Sequence, residues 1–218
     1  MRDLKDRVVA HRGFPARCRE NSTDAVRAAL EAGCRFVEVD AQVSADGHPV
    51  LSHDDRLERV FGQAGRVTEL PLRELVKRGV EPLHRAVALC EQAGATLFVE
   101  IKRDSFGKFG AAAVASIVSN AAGYVFISFS LEAVLIARQR FNERIGWVVP
   151  DLSEHTQAIC KEVAPEFLFC DQKLIGPGTR LWPGTWVAYE VSSRRRAEEL
   201  EAAGVSLFET MDVRRLQC

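Results

Sequence analysis

Short runs of β-branched and aromatic residues alternate along the chain with longer amphipathic stretches rich in alanine, leucine, glutamate and arginine. The short runs are typical of buried strands, and the longer stretches have the period of a helix. Helices are predicted between the strands; in STDAVRAALEAG, for example, polar capping residues precede the apolar positions and Gly33 ends the segment. The pattern predicts eight strands, at residues 7–11, 35–42, 95–102, 124–129, 144–149, 167–171, 185–191 and 206–210.

Eight strands that alternate with helices in a chain of 218 residues predict the α/β fold class, as a single parallel (β/α)8 TIM barrel. An open doubly wound sheet is the alternative that the same pattern allows. No internal repeat, low-complexity tract or proline- and serine-rich linker interrupts the sequence. We therefore expect residues 1–218 to form one domain.

An Asp-Gly pair predicts a hairpin extension after the second strand. Asp46-Gly47 lies between two alternating segments in DAQVSADGHPVLSH, which is the strongest local signal for a two-residue turn. If these two residues form the turn, His53 lies opposite Asp40 on the same face of the hairpin. Glu38 shares that face because it is two residues before Asp40. The hairpin therefore predicts one patch of two acids and a histidine.

Polar side chains also end two neighbouring strands. His11 and Arg12 end the first strand, and Glu100 and Lys102 end the third. Alone, a histidine at a strand end is more often a hydrogen-bonded polar residue than a catalytic one, and acids two apart more often form a solvated strand face. In a parallel barrel, however, the carboxyl ends of all strands meet at one rim, where barrel enzymes keep their chemistry. We expect these four residues to join the hairpin patch there.

The predicted rim carries the chemistry of a cation site. Glu38, Asp40 and Glu100 point into the barrel, where unpaired charges are costly, so they repel one another unless a cation lies among them. Ligation by oxygen alone suits a hard divalent ion, and we expect Mg²⁺ or Ca²⁺ as the cofactor.

The remaining predicted rim residues suit an anionic phosphate substrate. His11 and His53 supply a general acid and a general base near neutral pH. Arg12 and Lys102 add fixed positive charge, which an anionic substrate needs and a neutral one does not. Together with a metal ion, this set predicts hydrolysis of a phosphate diester.

Charge and composition narrow the class of partner. The chain has 29 basic and 30 acidic residues, so no overall field draws it to nucleic acid or to an anionic membrane. No apolar run approaches the roughly 20 residues that cross a bilayer. We expect a cytoplasmic protein without stable membrane insertion that binds a small molecule; its oligomeric state is left open. The 6 cysteines show no C-x-x-C spacing and are expected to be unpaired thiols.

At these motifs the sequence resembles the glycerophosphodiester phosphodiesterase family, whose barrel begins with a His-Arg-Gly strand end. The matching segments are VVAHRGFPARCRENSTDAVRAALEAG, FVEVDAQVSADGHPVLSHDDRLERVFG, LFVEIK, ISFSLEAV and AEELEAAGV. The resemblance implies a metal-dependent enzyme that hydrolyses glycerophosphodiesters to glycerol 3-phosphate and an alcohol. By position it implies acid and base roles for His11 and His53, metal ligation by Glu38, Asp40 and Glu100, phosphate contacts by Arg12 and Lys102, and ordering of the rim by Glu20.

The later half of the chain departs from the family pattern. Tyr189-Glu190-Val191-Ser192 stands where the family usually has Trp-Thr-Val-Asn, and Thr210-Met211 where it usually has Thr-Asp. These departures leave the recognised alcohol open and allow a non-catalytic barrel that binds a phosphorylated ligand. A second alternative is a phospholipase or lyase barrel that releases a cyclic phosphate, for which Phe106 and Phe109 would form an apolar rim. Residues 54–94 are expected to form a loop and two helices, without a large capping insertion.

Overall fold

The structure is a computed structural model that describes residues 4–102, 123–141 and 144–217. Within those ranges one sheet contains nine strands: β1 Val8–Ala10, β2 Phe36–Val43, β3 Pro49–Leu51, β4 Thr96–Ile101, β5 Tyr124–Ser128, β6 Ile145–Val148, β7 Phe167–Asp171, β8 Trp186–Tyr189 and β9 Leu207–Thr210. Eight of them pair in parallel in the order β1-β9-β8-β7-β6-β5-β4-β2, and β1 also pairs with β2. This last pairing closes the barrel, which confirms the predicted TIM barrel and rules out the open sheet.

Helices cover the outside of the barrel. The described helices are α1 Thr23–Glu31, α2 Glu58–Phe61, α3 Leu72–Lys77, α4 Leu83–Ala93, α5 Leu131–Phe141, α6 Glu154–Val163, α7 Arg194–Ala202 and α8 Arg214–Gln217. Serine side chains cap three of them: Ser22 accepts from the amide of Ala25, and Ser153 and Ser193 do the same for α6 and α7. None of these helices is long and apolar enough to cross a membrane.

Aromatic side chains fill the barrel interior below the rim. The ring of Phe98 on β4 meets Phe167 and Phe169 on β7 edge to face, with centroids 5.0 and 5.1 Å apart. Since β4 and β7 are not neighbours in the sheet, these contacts cross the barrel. The interior formed by the described strands is therefore a packed core rather than a pore, and we expect a ligand site at an end of the barrel.

The predicted two-residue turn of the hairpin is wrong. The amide of Ser44 donates to the carbonyl of His48 (2.9 Å), which makes residues 45–47 a three-residue loop with Gly47 at a φ of 85°. The Ser44 side chain favours this longer loop, because its hydroxyl accepts from the His48 amide (2.9 Å) and donates to Asp46 (2.6 Å).

The longer turn shifts the register of the hairpin by one residue. The amide of Ser52 donates to the carbonyl of Asp40 (3.1 Å), so Ser52 lies opposite Asp40, where His53 was expected. A shift of one residue within a strand would turn the His53 side chain to the other face. β3 ends at Leu51, however, and His53 follows it in an irregular segment that returns to the rim.

Between the hairpin and β4 the chain builds a small second core. Val50, Leu57, Val67, Leu75 and Val80 are all buried there and form a cluster separate from the barrel core. Helices α2, α3 and α4 lie in this region, one more than expected, because α2 is a single turn and too short to show a helical period.

Cysteines 18, 34, 90, 160 and 170, which lie within the described ranges, are free thiols as expected. That residues 1–218 form one domain stays a prediction.

Candidate active site

One cavity of about 150 Å³ lies at the carboxyl ends of the barrel strands. The predicted site residues that line it are His11, Arg12, Glu38, His53, Glu100 and Lys102. Asp40 contacts Lys102 and Arg12 at the same place, so the structure brings together all seven predicted residues. A larger depression of about 930 Å³ lies at the opposite end of the barrel beside the Arg7–Glu201 ion pair, and holds none of the seven.

Three buried carboxylates form the floor of this site. β2 and β4 pair in parallel with Asp40 beside Glu100, and Glu38 is two residues before Asp40 on the same inward face. One oxygen from each of the three carboxylates lies within 4.8 Å of the others. This spacing would allow one cation to contact all three.

Burial and mutual repulsion disfavour the charged form of two of these acids. Burial, followed by the charges of Asp40 and Glu209, raises the pKa of Glu38 well above its usual value. Burial and Asp40 also raise the pKa of Glu100. For Asp40, burial opposes ionisation, but the neighbouring Lys102 and Arg12 outweigh it and lower its pKa. A divalent cation would offset the repulsion between the acids and favour the ionised form of all three.

A divalent metal ion fits this donor set. Oxygen Oε1 of Glu38 is buried without a hydrogen-bond partner in the described part of the chain, as expected for an atom that contacts a cation. The Lys102 ammonium lies 3.1 Å from Asp40 Oδ1 and 2.6 Å from Glu100 Oε1, so positive charge is already favoured there.

Asn21 holds Asp40 from the other side, a role that sequence reasoning missed. Its side-chain amide donates to Asp40 Oδ2 (2.8 Å), and its carbonyl oxygen accepts from the Asp40 backbone amide (2.9 Å). Asn21 has a φ of 50°, a left-handed conformation that asparagine tolerates better than most residues.

The chain turns sharply after β1 to aim Arg12 at the acids. Arg12 and Gly13 have φ values of 58° and 78°. A Cβ atom on Gly13 would lie 2.6 Å from the backbone of Ala25, so only glycine fits. The Arg12 amide donates to Glu38 Oε2 (2.8 Å), and its guanidinium contacts Glu20 Oε1 (3.0 Å) and lies 3.3 Å from Asp40 Oδ2. This contact to Glu20 fits its expected ordering role.

His11 is a buried neutral imidazole. Burial, together with the positive charge of Arg12, lowers its pKa to about 4. Its Nε2 lies 3.9 Å from Glu38 Oε2, beyond a hydrogen bond, and its Nδ1 has no partner in the described residues. Both ring nitrogens are therefore available for a substrate or a water molecule.

A carboxylate fixes the ring of His53. Its Nδ1 lies 2.7 Å from Asp54 Oδ1. Burial opposes ionisation of Asp54, but hydrogen bonds from Arg59 and His53 outweigh it and lower the pKa of Asp54. An ionised carboxylate only accepts hydrogen bonds, so Nδ1 carries the proton and Nε2 is left to act in the cavity.

Glu209 is a buried acid of the site that sequence reasoning missed. It is only 3% exposed, lines the cavity, and its Oε1 has no hydrogen-bond partner in the described ranges. Burial, followed by the charges of Glu100 and Asp40, raises its pKa well above the usual value. The alternation in SLFET could have revealed it, since Leu207 packs inside the barrel and Glu209 shares that face.

The far wall of the cavity is apolar and aromatic. Phe129 is 57% exposed there, and its ring lies 6.3 Å from that of Tyr189. Glu190 also lines the cavity, whereas Ser192 and Met211 line a neighbouring depression of about 490 Å³. The expected apolar rim at Phe106 and Phe109 lies outside the described residues.

Comparisons of the sequence and of the fold with known proteins agree with one another. The sequence profile of the "Glycerophosphoryl diester phosphodiesterase family" matches residues 11–154. Among curated relatives, the chain is 32% identical to "Glycerophosphodiester phosphodiesterase 1" of Bos taurus over 119 residues, 47% of this chain and 36% of that protein. It is 36% identical to "Glycerophosphodiester phosphodiesterase" of Caldanaerobacter subterraneus subsp. tengcongensis over 74 residues, 34% of this chain and 30% of that protein. The matches thus span about a third of these relatives.

Solved structures show the same fold at low identity. An Oleispira antarctica phosphodiesterase in complex with the product sn-glycerol-3-phosphate superposes with a TM-score of 0.85 at 23% identity, over 97% of this chain and 95% of that one. A glycerophosphodiester phosphodiesterase from Thermotoga maritima gives a TM-score of 0.78 at 19% identity, over 95% of each chain.

Proposed function

Because the chain belongs to the glycerophosphoryl diester phosphodiesterase family, we propose that it hydrolyses glycerophosphodiesters to glycerol 3-phosphate and an alcohol. The observation that carries the proposal is the cluster of three buried carboxylates beside two cations and two histidines. All seven residues fall inside the segment that matches the family. The product in the Oleispira antarctica complex supports glycerol 3-phosphate as the product here.

We further propose a divalent cation as the cofactor. Glu38, Asp40 and Glu100 would hold it, and their oxygen ligands suit Mg²⁺ or Ca²⁺. When bound, the ion supplies a Lewis acid that polarises a phosphoryl oxygen and offsets the charge that develops at phosphorus. In the structure the Lys102 ammonium contacts two of these acids. A cation held by the acids would replace that contact, so the ammonium would be free to turn towards the phosphate.

The side chains around the acids bind the phosphate and transfer the protons. Arg12 and Lys102 hold the non-bridging oxygens of the diester and so orient phosphorus for in-line attack. His11 and His53 move the two protons: one takes a proton from the attacking oxygen, which belongs to water or to a neighbouring hydroxyl of glycerol, and the other, in its protonated form, gives one to the leaving oxygen. The Asp54 contact prepares His53 for proton transfer, because it holds the Nδ1 proton and so leaves Nε2 to exchange a proton with the substrate.

The identity of the phosphorus product tests this function against its alternatives. We expect purified protein with a divalent cation to convert glycerophosphocholine to a phosphate monoester and free choline. ³¹P NMR distinguishes the monoester from the diester and from a cyclic phosphate. A cyclic phosphate that accumulates as the end product would favour the lyase, for which the exposed Phe129 at the rim is the supporting observation. An unchanged diester that nevertheless binds would favour the non-catalytic barrel. Glu198→Gln, on the exposed face of α7, serves as the control variant.

A further inference from the structure

We propose that Arg59 is a positioning residue that fixes the catalytic histidine His53 relative to the phosphate-binding Arg12. This inference rests on the proposed function and extends it to a residue outside the cavity. A single guanidinium, on the short helix α2, connects the two sides of the site.

Arg59 contacts carboxylates from two separate segments. Its Nε donates to Asp54 Oδ2 in a short hydrogen bond. Its Nη1 and Nη2 donate to Glu20 Oε2 (3.0 Å) and Glu20 Oε1 (2.7 Å), which is a bidentate arrangement. Three nitrogen atoms of one side chain are thus used to join two acids.

Each of the two acids also contacts a site residue. Asp54 Oδ1 lies 2.7 Å from His53 Nδ1, and Glu20 Oε1 accepts from Arg12 Nη1 at 3.0 Å. The hydrogen bonds therefore run without a gap from His53 through Asp54, Arg59 and Glu20 to Arg12.

Both ends of this path lie in irregular backbone. His53 and Asp54 follow the end of β3, and Arg12 and Glu20 lie in the loop between β1 and α1. Barrel strands hold Glu38, Asp40 and Glu100 in place through their ladders. His53, Asp54, Arg12 and Glu20 lie outside these strands, so their side-chain contacts matter more for their positions. Their separation matters because a misplacement of about 1 Å can lower a rate about 100-fold.

The small second core explains what holds Arg59 itself. Leu57, directly before α2, is fully buried in that cluster, and the ring of Phe61 at the end of α2 packs under the guanidinium of Arg19, 5.0 Å away. Arg19 in turn donates to the carbonyl of Gly79 (2.8 Å). These contacts fix α2 at both ends, so Arg59 projects from a rigid support.

Exposure separates a positioning role from a purely structural one. The Arg59 side chain is 48% exposed, so water screens its ion pairs, and even in this bidentate network their loss should cost only about 1 kcal/mol. Removal of the guanidinium should therefore lower activity strongly while the melting temperature falls by no more than about 4 °C. Lysine has a single charged group and cannot make both sets of contacts, so it should replace arginine only in part.

The test compares Arg59→Ala, Arg59→Lys and Arg56→Ala. Arg56 is a matched control: it lies three residues away, is 68% exposed, and its nearest ion-pair partner is Glu58 at 3.8 Å. We expect Arg59→Ala to lower kcat/KM for glycerophosphocholine by about 10- to 100-fold, with a fall in Tm of no more than about 4 °C. Arg59→Lys should recover part of the loss, and Arg56→Ala should match the wild type.

Chemical rescue sharpens the result. Added methylguanidinium should restore part of the activity of Arg59→Ala and none of the activity of His53→Ala, because only the former leaves an open guanidinium site between two carboxylates. Activity of Arg59→Ala within twofold of the wild type would overturn the inference, and so would an unrescued loss accompanied by a larger fall in Tm.

Failure of the proposed function would be recognised separately. If the wild-type protein hydrolyses no diester, calorimetric titration with inorganic phosphate replaces the kinetic assay. Arg59→Ala should then bind phosphate more weakly than Arg56→Ala, because Arg12 has lost its support through Glu20. Equal affinities for phosphate would overturn the inference in that case as well.

Discussion

Replacement of His11 or His53 by alanine is expected to lower kcat by about 100-fold or more, because a positioned general acid or base contributes at least that much. Both imidazoles line the same cavity as the carboxylates. His11 is held neutral by burial, and His53 is oriented by Asp54.

Two of the remaining histidines provide controls for this experiment. His84 on α4 and His155 on α6 are exposed and lie outside the cavity. Steady-state kinetics with glycerophosphocholine should therefore give wild-type kcat values for His84→Ala and His155→Ala. A kcat within a few-fold of the wild type for either site variant would show that the histidine concerned does not transfer a proton.

The second large effect concerns Glu38 and combines stability with activity. Ligand binding to the folded state alone stabilises it by about 2.7 kcal/mol at a hundredfold excess over Kd. For a chain of this size that corresponds to a rise in Tm of roughly 5 to 10 °C. We expect added Mg²⁺ or Ca²⁺ to raise the Tm of the wild-type protein by this amount.

Glu38→Gln should uncouple the two properties. Without metal, burial and the neighbouring acids disfavour a charged Glu38. An uncharged glutamine relieves that repulsion, and its carbonyl oxygen can still accept from the amide of Arg12. We therefore expect this variant to be at least as stable as the metal-free wild type, to gain less from added metal, and to be nearly inactive.

Thermal melts of both proteins in EDTA and in millimolar metal check this expectation. Glu198→Gln, an exposed substitution of the same kind on α7, should shift as the wild type does. Equal metal-induced shifts in the wild type and Glu38→Gln would show that Glu38 is not a ligand.

Local patterns were sufficient to predict the barrel and the position of three of its acids. In β2 and β4 the residues alternate between the helix-facing core and the interior, so a period of two places Glu38, Asp40 and Glu100 inside. Because parallel strands end at one rim, the same reasoning brought His11 and Arg12 to these acids.

The hairpin shows where local pattern fails. The Asp46-Gly47 pair predicts a turn, but the Ser44 side chain selects a loop one residue longer. His53 still reaches the cavity, although through an irregular segment and not through strand pairing. Turn preferences depend on side-chain hydrogen bonds that a two-residue motif does not contain.

The contacts that sequence reasoning missed all join distant segments. Asn21, in the loop before α1, reaches Asp40 on β2, and Arg59 on α2 reaches Glu20 in that same loop. No periodicity in the sequence reports how two irregular segments approach one another. Glu209 is different, because its inward direction follows from the alternation of residues within β9. The strand at residues 206–210 was itself predicted, so this alternation was sufficient to place Glu209 inside the barrel.

The most direct test of the proposed metal-dependent phosphodiesterase is the release of glycerol 3-phosphate from glycerophosphocholine by purified protein before and after removal of divalent cations. We predict that exhaustive treatment with EDTA abolishes the activity and that added Mg²⁺ or Ca²⁺ restores it, because the acids Glu38, Asp40 and Glu100 would hold the ion that polarises the phosphate. Activity that persists unchanged after this treatment would contradict the account.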